Sequence, residues 1–356
     1  MSTLSELLPS GGGGSTVDFV ASGTLPNGKP VVLKADGTVE VVGETSTTAD
    51  VIPASSEILF NSASTAAIST AFDPNTAGKF VVAYQDGDNA NYGTAVVGTV
   101  SGTTISFGSK YVFNSSNADS CSISFDPNTA NKFIVIYADG GNSSFGTAIV
   151  GSLSGTSITF GSKYVFNSGG STSQLATSFD PNTAGKFVAV YKDGGNTGNG
   201  TAVVGTVSGT TISYGSVIVF NTGIINLPSI SFDPNTAGKF IVAYRDSDNV
   251  NKGTAIIGTR SGTSISFGSE FIFNTGYSYF HSVEFDPTTA GKFVLAYKDE
   301  GNANYGTAVV GTVSGTTISM GSTVVFNSAD TRYVSMKIDP NTANSFVVAY
   351  TDGGNS

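Results

Sequence analysis

Read for its hydrophobic and polar positions, the chain is a succession of short apolar runs cut by turn-forming residues. KFVVAY, GTAVVGTV and TISFGSKYVFN are rich in the β-branched and aromatic residues that favour strands, and Gly, Asn, Asp and Pro punctuate them. No stretch keeps a helical period for more than about two turns. The runs recur. Asp-Pro appears at Asp73, Asp126, Asp180, Asp233, Asp286 and Asp339, at spacings of 53, 54, 53, 53 and 53 residues. The unit from Ser122 to Asn167 parses into four strands. Strand a ends at Phe72, Phe125, Phe179, Phe232, Phe285 and Ile338, and DPNTAGK then turns the chain. Strand b, KFVVAY, is too continuously apolar to have a wet face, so it is expected to be buried on both sides. Strand c is GTAVVGTV, and strand d runs through TISFGSKYVFN, where a central Gly predicts a bulge or bend.

Four antiparallel strands per ~50 residues, repeated a few times, predict an all-β fold: a six-bladed β-propeller rather than a β-solenoid. The last repeat stops after strand b, while an orphan copy of the strand d ending, SSEILFN with Phe60-Asn61, precedes the first strand a. Upstream, KPVVLKADGTVEVV reads as a hairpin. Residues 28–61 and 334–351 are therefore expected to form one composite blade that closes the ring and removes its open edges. Within this scheme, residues 1–16 stand apart from a propeller at 17–356. Leu4, Leu7 and Leu8 form a short apolar cluster before Pro9 and a Gly-rich linker, which suggests an anchor peptide for docking into a larger assembly.

Composition narrows the function. The formal net charge is −10, and only 12% of residues are charged, which argues against nucleic-acid and anionic-membrane partners. The single cysteine, Cys121, excludes an intramolecular disulfide. The N-terminus lacks the basic and apolar regions of a secretory signal, and no run approaches the ~20 apolar residues of a membrane-spanning helix.

Candidate chemistry is sparse. His281, the only histidine, and Cys121 occupy a strand a position filled elsewhere by Ile68, Leu175, Pro228 and Val334, so both read as core. Every unit carries Tyr-x-Asp-x-x-Asn after strand b. These oxygens invite a calcium reading, most of all at QDGDN and RDSDN, but a structural turn in every repeat accounts for them. Glycosidase chemistry needs two suitably spaced carboxylates. The non-repeated acids Glu270, Glu284 and Glu300 are the ones to inspect, with Glu284 expected on a solvated face. No catalytic residue, metal site or cofactor is assigned. The repeats differ most between strands d and a. Three consecutive d–a loops carry Ile224, Ile225 and Leu227, then Tyr277, Tyr279 and Phe280, then Arg332 and Tyr333. Loops on a rigid scaffold are where binding is expected, and a contiguous apolar cluster marks an interaction surface.

The opening LLPSGGGG…VDFVASGTLPNGKPVVLKADGTVEV, followed by repeats of the type FDPNTAGKFVVAYKDGGN…YGTAVVGTVSGTTISFG, resembles repeat-containing structural proteins of tailed bacteriophages, notably those of marine hosts. The resemblance implies a non-enzymatic virion component, a tail or head fibre or a capsid decoration, assembled in the host cytoplasm. Its implied partners are other virion proteins, through the N-terminal segment, and a host surface glycan or protein, with homo-oligomerisation left open. The alternatives are a glycan-cleaving propeller enzyme and a structural spacer.

Overall fold

A computed structural model describes residues 58–102, 104–340 and 345–355, and three short strands before them. The chain divides into two units, Met1–Ile58 and Leu59–Ser356. In the first, Val31–Leu33 pairs antiparallel with Thr38–Val41, and Val20–Ala21 runs parallel to the latter. This is the hairpin expected from the sequence. The remainder of the 28–57 segment, and the anchor residues Leu4, Leu7 and Leu8, lie outside the described residues.

The second unit is all-β and follows the repeat. In the first repeat, Thr65–Phe72, Lys79–Asp86 and Tyr92–Ser101 form strands a, b and c, and strand d is the first part of Thr104–Phe125. Each strand pairs antiparallel with the next. Four more repeats build the same four-stranded sheet, and a sixth contributes Thr331–Ile338 and Phe346–Asp352 as a two-stranded sheet. Strand b is buried throughout the full repeats, as in Phe133 to Tyr137, all 0% exposed. The bend in strand d is also present, as a register shift between Phe160 and Lys163. In the sixth repeat, whose described strands are a and b, Phe346, Val347 and Tyr350 are exposed instead.

Glycine in strand c has a packing cause. Gly98, Gly151, Gly205, Gly258 and Gly311 sit opposite Phe80, Phe133, Phe187, Phe240 and Phe293 of strand b, whose rings lie where a Cβ would project. The ring covers the glycine, and the strand gains a flat aromatic–backbone contact.

Strands a are innermost. Residues of all six line one cavity of about 500 Å³, with Phe72, Phe125, Phe179, Phe232, Phe285 and Ile338 on its wall. Their free edges are satisfied by side chains of the preceding repeat. Ser69 Oγ accepts from Ile123 N, Ser124 Oγ from Phe179 N, and Ser231 Oγ from Phe285 N, each at 3.2 Å. Glu284 occupies the same slot: it accepts from Ile338 N at 3.0 Å and pairs with Lys337. Glu284, expected on a solvated face, is half-buried on the wall of that cavity, where it is held by these two partners. The Asp of the Asp-Pro turn is a second link in the second, third and fourth repeats. Asp126 and Asp233 accept from the backbone N–H of Gly185 and Gly291 in the next repeat. Asp180 accepts from Arg260 there instead.

Candidate functional site

Three of the segments between strands d and a are not loops, whereas residues 168–171 and 328–330 separate distinct strands in two others. Thr104–Phe125, Ile218–Phe232 and Phe271–Phe285 run through from d into a as single strands. Early in each strand a the register slips by a β-bulge. One bulge residue in every repeat is left-handed: Ala67, Ser120, Gln174, Leu227, Phe280 and Tyr333, with φ between 48° and 53°. Bulky residues avoid this region, so six such positions mark a conformation imposed by the fold. Successive bulges touch. Gln174 Oε1 accepts from Leu227 N at 3.1 Å, and the rings of Phe280 and Tyr333 are 5.0 Å apart. The bulges lie at the start of strand a, the end opposite the Phe residues of the channel wall. They share this end with the b–c turns, as Gly87 N and Gly353 N donating to Ser64 O and Asp330 O show.

The expected binding residues separate accordingly. Phe280 and Tyr333 are bulge residues, and Tyr279 lies 6.2 Å from Phe280, ring centre to ring centre. Tyr333 is 70% exposed and Tyr277 43%. Arg332 is exposed and held by Asp330 at 2.7 Å. Ile224 is exposed at the outer end of its segment, opposite Asn199. Leu227 is half-buried at its bulge, and Phe280 packs partly on the core of the last repeats. Ile225 is a correction: it is 0% exposed and packs among Phe220, Tyr244 and Val190, because neighbouring strand residues face opposite ways.

Sequence reasoning missed Arg245. Its guanidinium lies 4.3 Å from the centre of the Tyr279 ring, a cation–π contact between consecutive repeats. His281 beside it is buried, as expected for core. Its Nδ1 lies 3.0 Å from Leu227 O, so Nδ1 carries the proton and donates, leaving Nε2 to accept from Ser278 Oγ at 2.9 Å. Burial, with a smaller contribution from Arg245, lowers its pKa to about 4. Between that value and the ordinary ~6.5 the unfolded chain binds more protons, so stability falls as pH drops through this window, by up to about 3 kcal/mol. His281→Leu should abolish that component at a cost of about 1 kcal/mol at neutral pH for the lost bond. Denaturant melts of both proteins from pH 7 to 4 check it, and parallel pH profiles would refute it. Cys121 is buried, and its thiol is pushed up to about 12 by burial, so it is not a reactive thiol.

The Tyr-x-Asp-x-x-Asn acids serve the turn. Asp139 Oδ1 accepts from Gly141 N at 3.1 Å and from Asn114 Nδ2 at 3.0 Å, and Lys163 neutralises the carboxylate. Lys110 does the same for Asp86. Glu270 takes the place of these lysines in the fourth repeat. It accepts from Tyr244 Oη at 2.7 Å and shares Asn221 Nδ2 with Asp246, whose carboxyl is raised by burial and by Glu270. Glu300 lies exposed in the turn after the fifth strand b. Among the described residues, no group of three or more His, Cys, Asp or Glu is placed to hold a metal ion.

No family model matches the chain, and no curated protein does. Solved structures match at the level of fold. The NanB sialidase of Streptococcus pneumoniae is 8% identical with a TM-score of 0.55, over 84% of this chain and 68% of that one. A Hadza microbial sialidase, Hz136, is 9% identical with a TM-score of 0.51, over 76% and 60%. Sqt1 of Chaetomium thermophilum is 10% identical with a TM-score of 0.50, over 82% and 81%. The fold is all-β and propeller-like.

Proposed function

We propose that this chain is a non-catalytic, glycan-binding six-bladed propeller, and that on the reading of its phage-like repeats it serves as a virion surface component. The observation that carries the binding reading is the sector around Tyr279, Phe280 and Tyr333. Six bulges share one backbone geometry, yet the first two carry only Ala67 and Ser120, whereas the last two carry aromatic rings in tilted contact, Tyr333 largely exposed. Aromatic side chains give large contact area at low entropic cost, and a rigid inner strand holds them pre-oriented. Two fold neighbours carry the name sialidase, which makes a glycan the first ligand class to test.

The test is a glycan array followed by titration of the best ligand into wild type, Tyr279→Ala and Tyr333→Ala. Each substitution is expected to weaken binding about tenfold or more, as interface anchors do, with the melting temperature unchanged. Full binding by both variants, or no retention of any glycan, would remove the reading. Release of reducing sugar would favour the glycan-cleaving alternative.

A further inference from the structure

The sequence holds three arginines: Arg245, Arg260 and Arg332. Two are neutralised within the protein, Arg260 by Asp180 at 2.6 Å and Arg332 by Asp330 at 2.7 Å. Arg245 is not. Its Nε is buried without a hydrogen-bond partner, and its contact is the face of Tyr279. The repeat shows what is missing. Arg245 fills the variable position of Tyr-x-Asp, occupied in other repeats by Gln85, Ala138, Lys192, Lys298 and Thr351. Where that residue is a hydrogen-bond donor on a long side chain, the following repeat supplies an acceptor. Gln85 donates to Asp119 Oδ1 at 2.9 Å, Lys192 to Asn226 Oδ1 at 3.4 Å, and Lys298 to Asp330 Oδ1 at 2.6 Å. The residues that supply these acceptors correspond, after Arg245, to Tyr277 and Tyr279. Where those repeats place at least one acceptor, two tyrosines stand here, and Arg245 is left half-buried with no ion-pair partner among the described residues.

An unpaired guanidinium fixed on an aromatic face is suited to a planar anionic group, which it can meet with charge-assisted and bidentate bonds. We infer that Arg245 anchors an anion subsite in the aromatic sector, and that the ligand is an acidic glycan bearing a carboxylate or a sulfate. This inference rests on the glycan-binding reading and adds the charge of the ligand to it. The protein's net charge of −10 repels polyanions at long range, so the preference must come from local contacts.

The test uses one polymer backbone in three forms: dextran, carboxymethyl-dextran and dextran sulfate of equal length, titrated into the full chain. The charged forms are expected to bind at least about tenfold tighter than dextran, the gap closing as salt is raised. The stronger of the two names the anionic group. Arg245→Gln should abolish the gap while leaving dextran binding in place, and Arg245→Lys should restore part of it. Equal binding of all three forms by wild type, or a gap that survives Arg245→Gln, overturns the inference and leaves the glycan reading standing. Failure of all three to bind overturns the inference, and the glycan array then decides the glycan reading by itself. Should Arg245→Gln lower the melting temperature, Arg245→Lys, which keeps the charge and the stem, decides by the size of its gap.

Discussion

Asp180→Ala is expected to destabilise the protein by about 3–5 kcal/mol, the cost of leaving a buried charge without its partner. Asp180 is 0% exposed and accepts from Nε of Arg260 at 2.8 Å, from Nη2 at 2.6 Å, and from Asn182 N at 2.8 Å. Deleting the carboxylate strands a guanidinium that is itself only 7% exposed, between the third and fourth repeats. The reverse substitution should be far milder. At the strand c position of Arg260, the third and fifth repeats carry Val207 and Val313, and there the facing Asp126 and Asp233 are held by backbone N–H groups. Arg260→Val should therefore let Asp180 adopt the arrangement of its neighbours, and the double variant should recover most of the loss from Asp180→Ala. Urea melts of the four proteins measure this. Equal losses for both single variants would show that the ion pair, rather than an orphaned arginine, is what matters.

The aromatic–glycine pairs should be similarly costly to disturb. Phe187 is 0% exposed and its ring covers Gly205. Phe187→Ala removes a buried ring and uncovers that backbone, for an expected loss of about 3–5 kcal/mol. Gly205→Ala forces a methyl group into the ring's space, for about 1–3 kcal/mol. Because both act on one volume, the double variant should lose less than the sum of the two. Strict additivity in a thermal-melt cycle would show that ring and glycine do not interact.

Much of this architecture was readable in the residues. The Asp-Pro spacing, the uninterrupted apolarity of strand b and the Gly of strand d each reflect a local requirement: a turn, a doubly buried strand, a bend. The d–a segments misled for a physical reason. Their Ser, Gly and Asn residues look like loop, and the left-handed bulge carries Leu227, Phe280 or Tyr333, which give no sequence sign of positive φ. Ile225 read as surface because adjacent Ile224 did, although strand alternation sends one out and the other in. Arg245 could have been found. Aligning the Tyr-x-Asp position across repeats shows a cation opposite two tyrosines, where the repeats after Gln85, Lys192 and Lys298 each offer an Asp or Asn.

The central claim is that one sector of the bulges, around Tyr279, Phe280 and Tyr333, recognises ligand. Amide hydrogen exchange of the full chain, with and without the best-binding glycan, tests it directly. Slowed exchange is expected at Leu227, Tyr279, Phe280 and Tyr333, and none at Ala67 and Ser120. Protection spread evenly round the six bulges, or confined to the Phe-lined end of the channel, would contradict it.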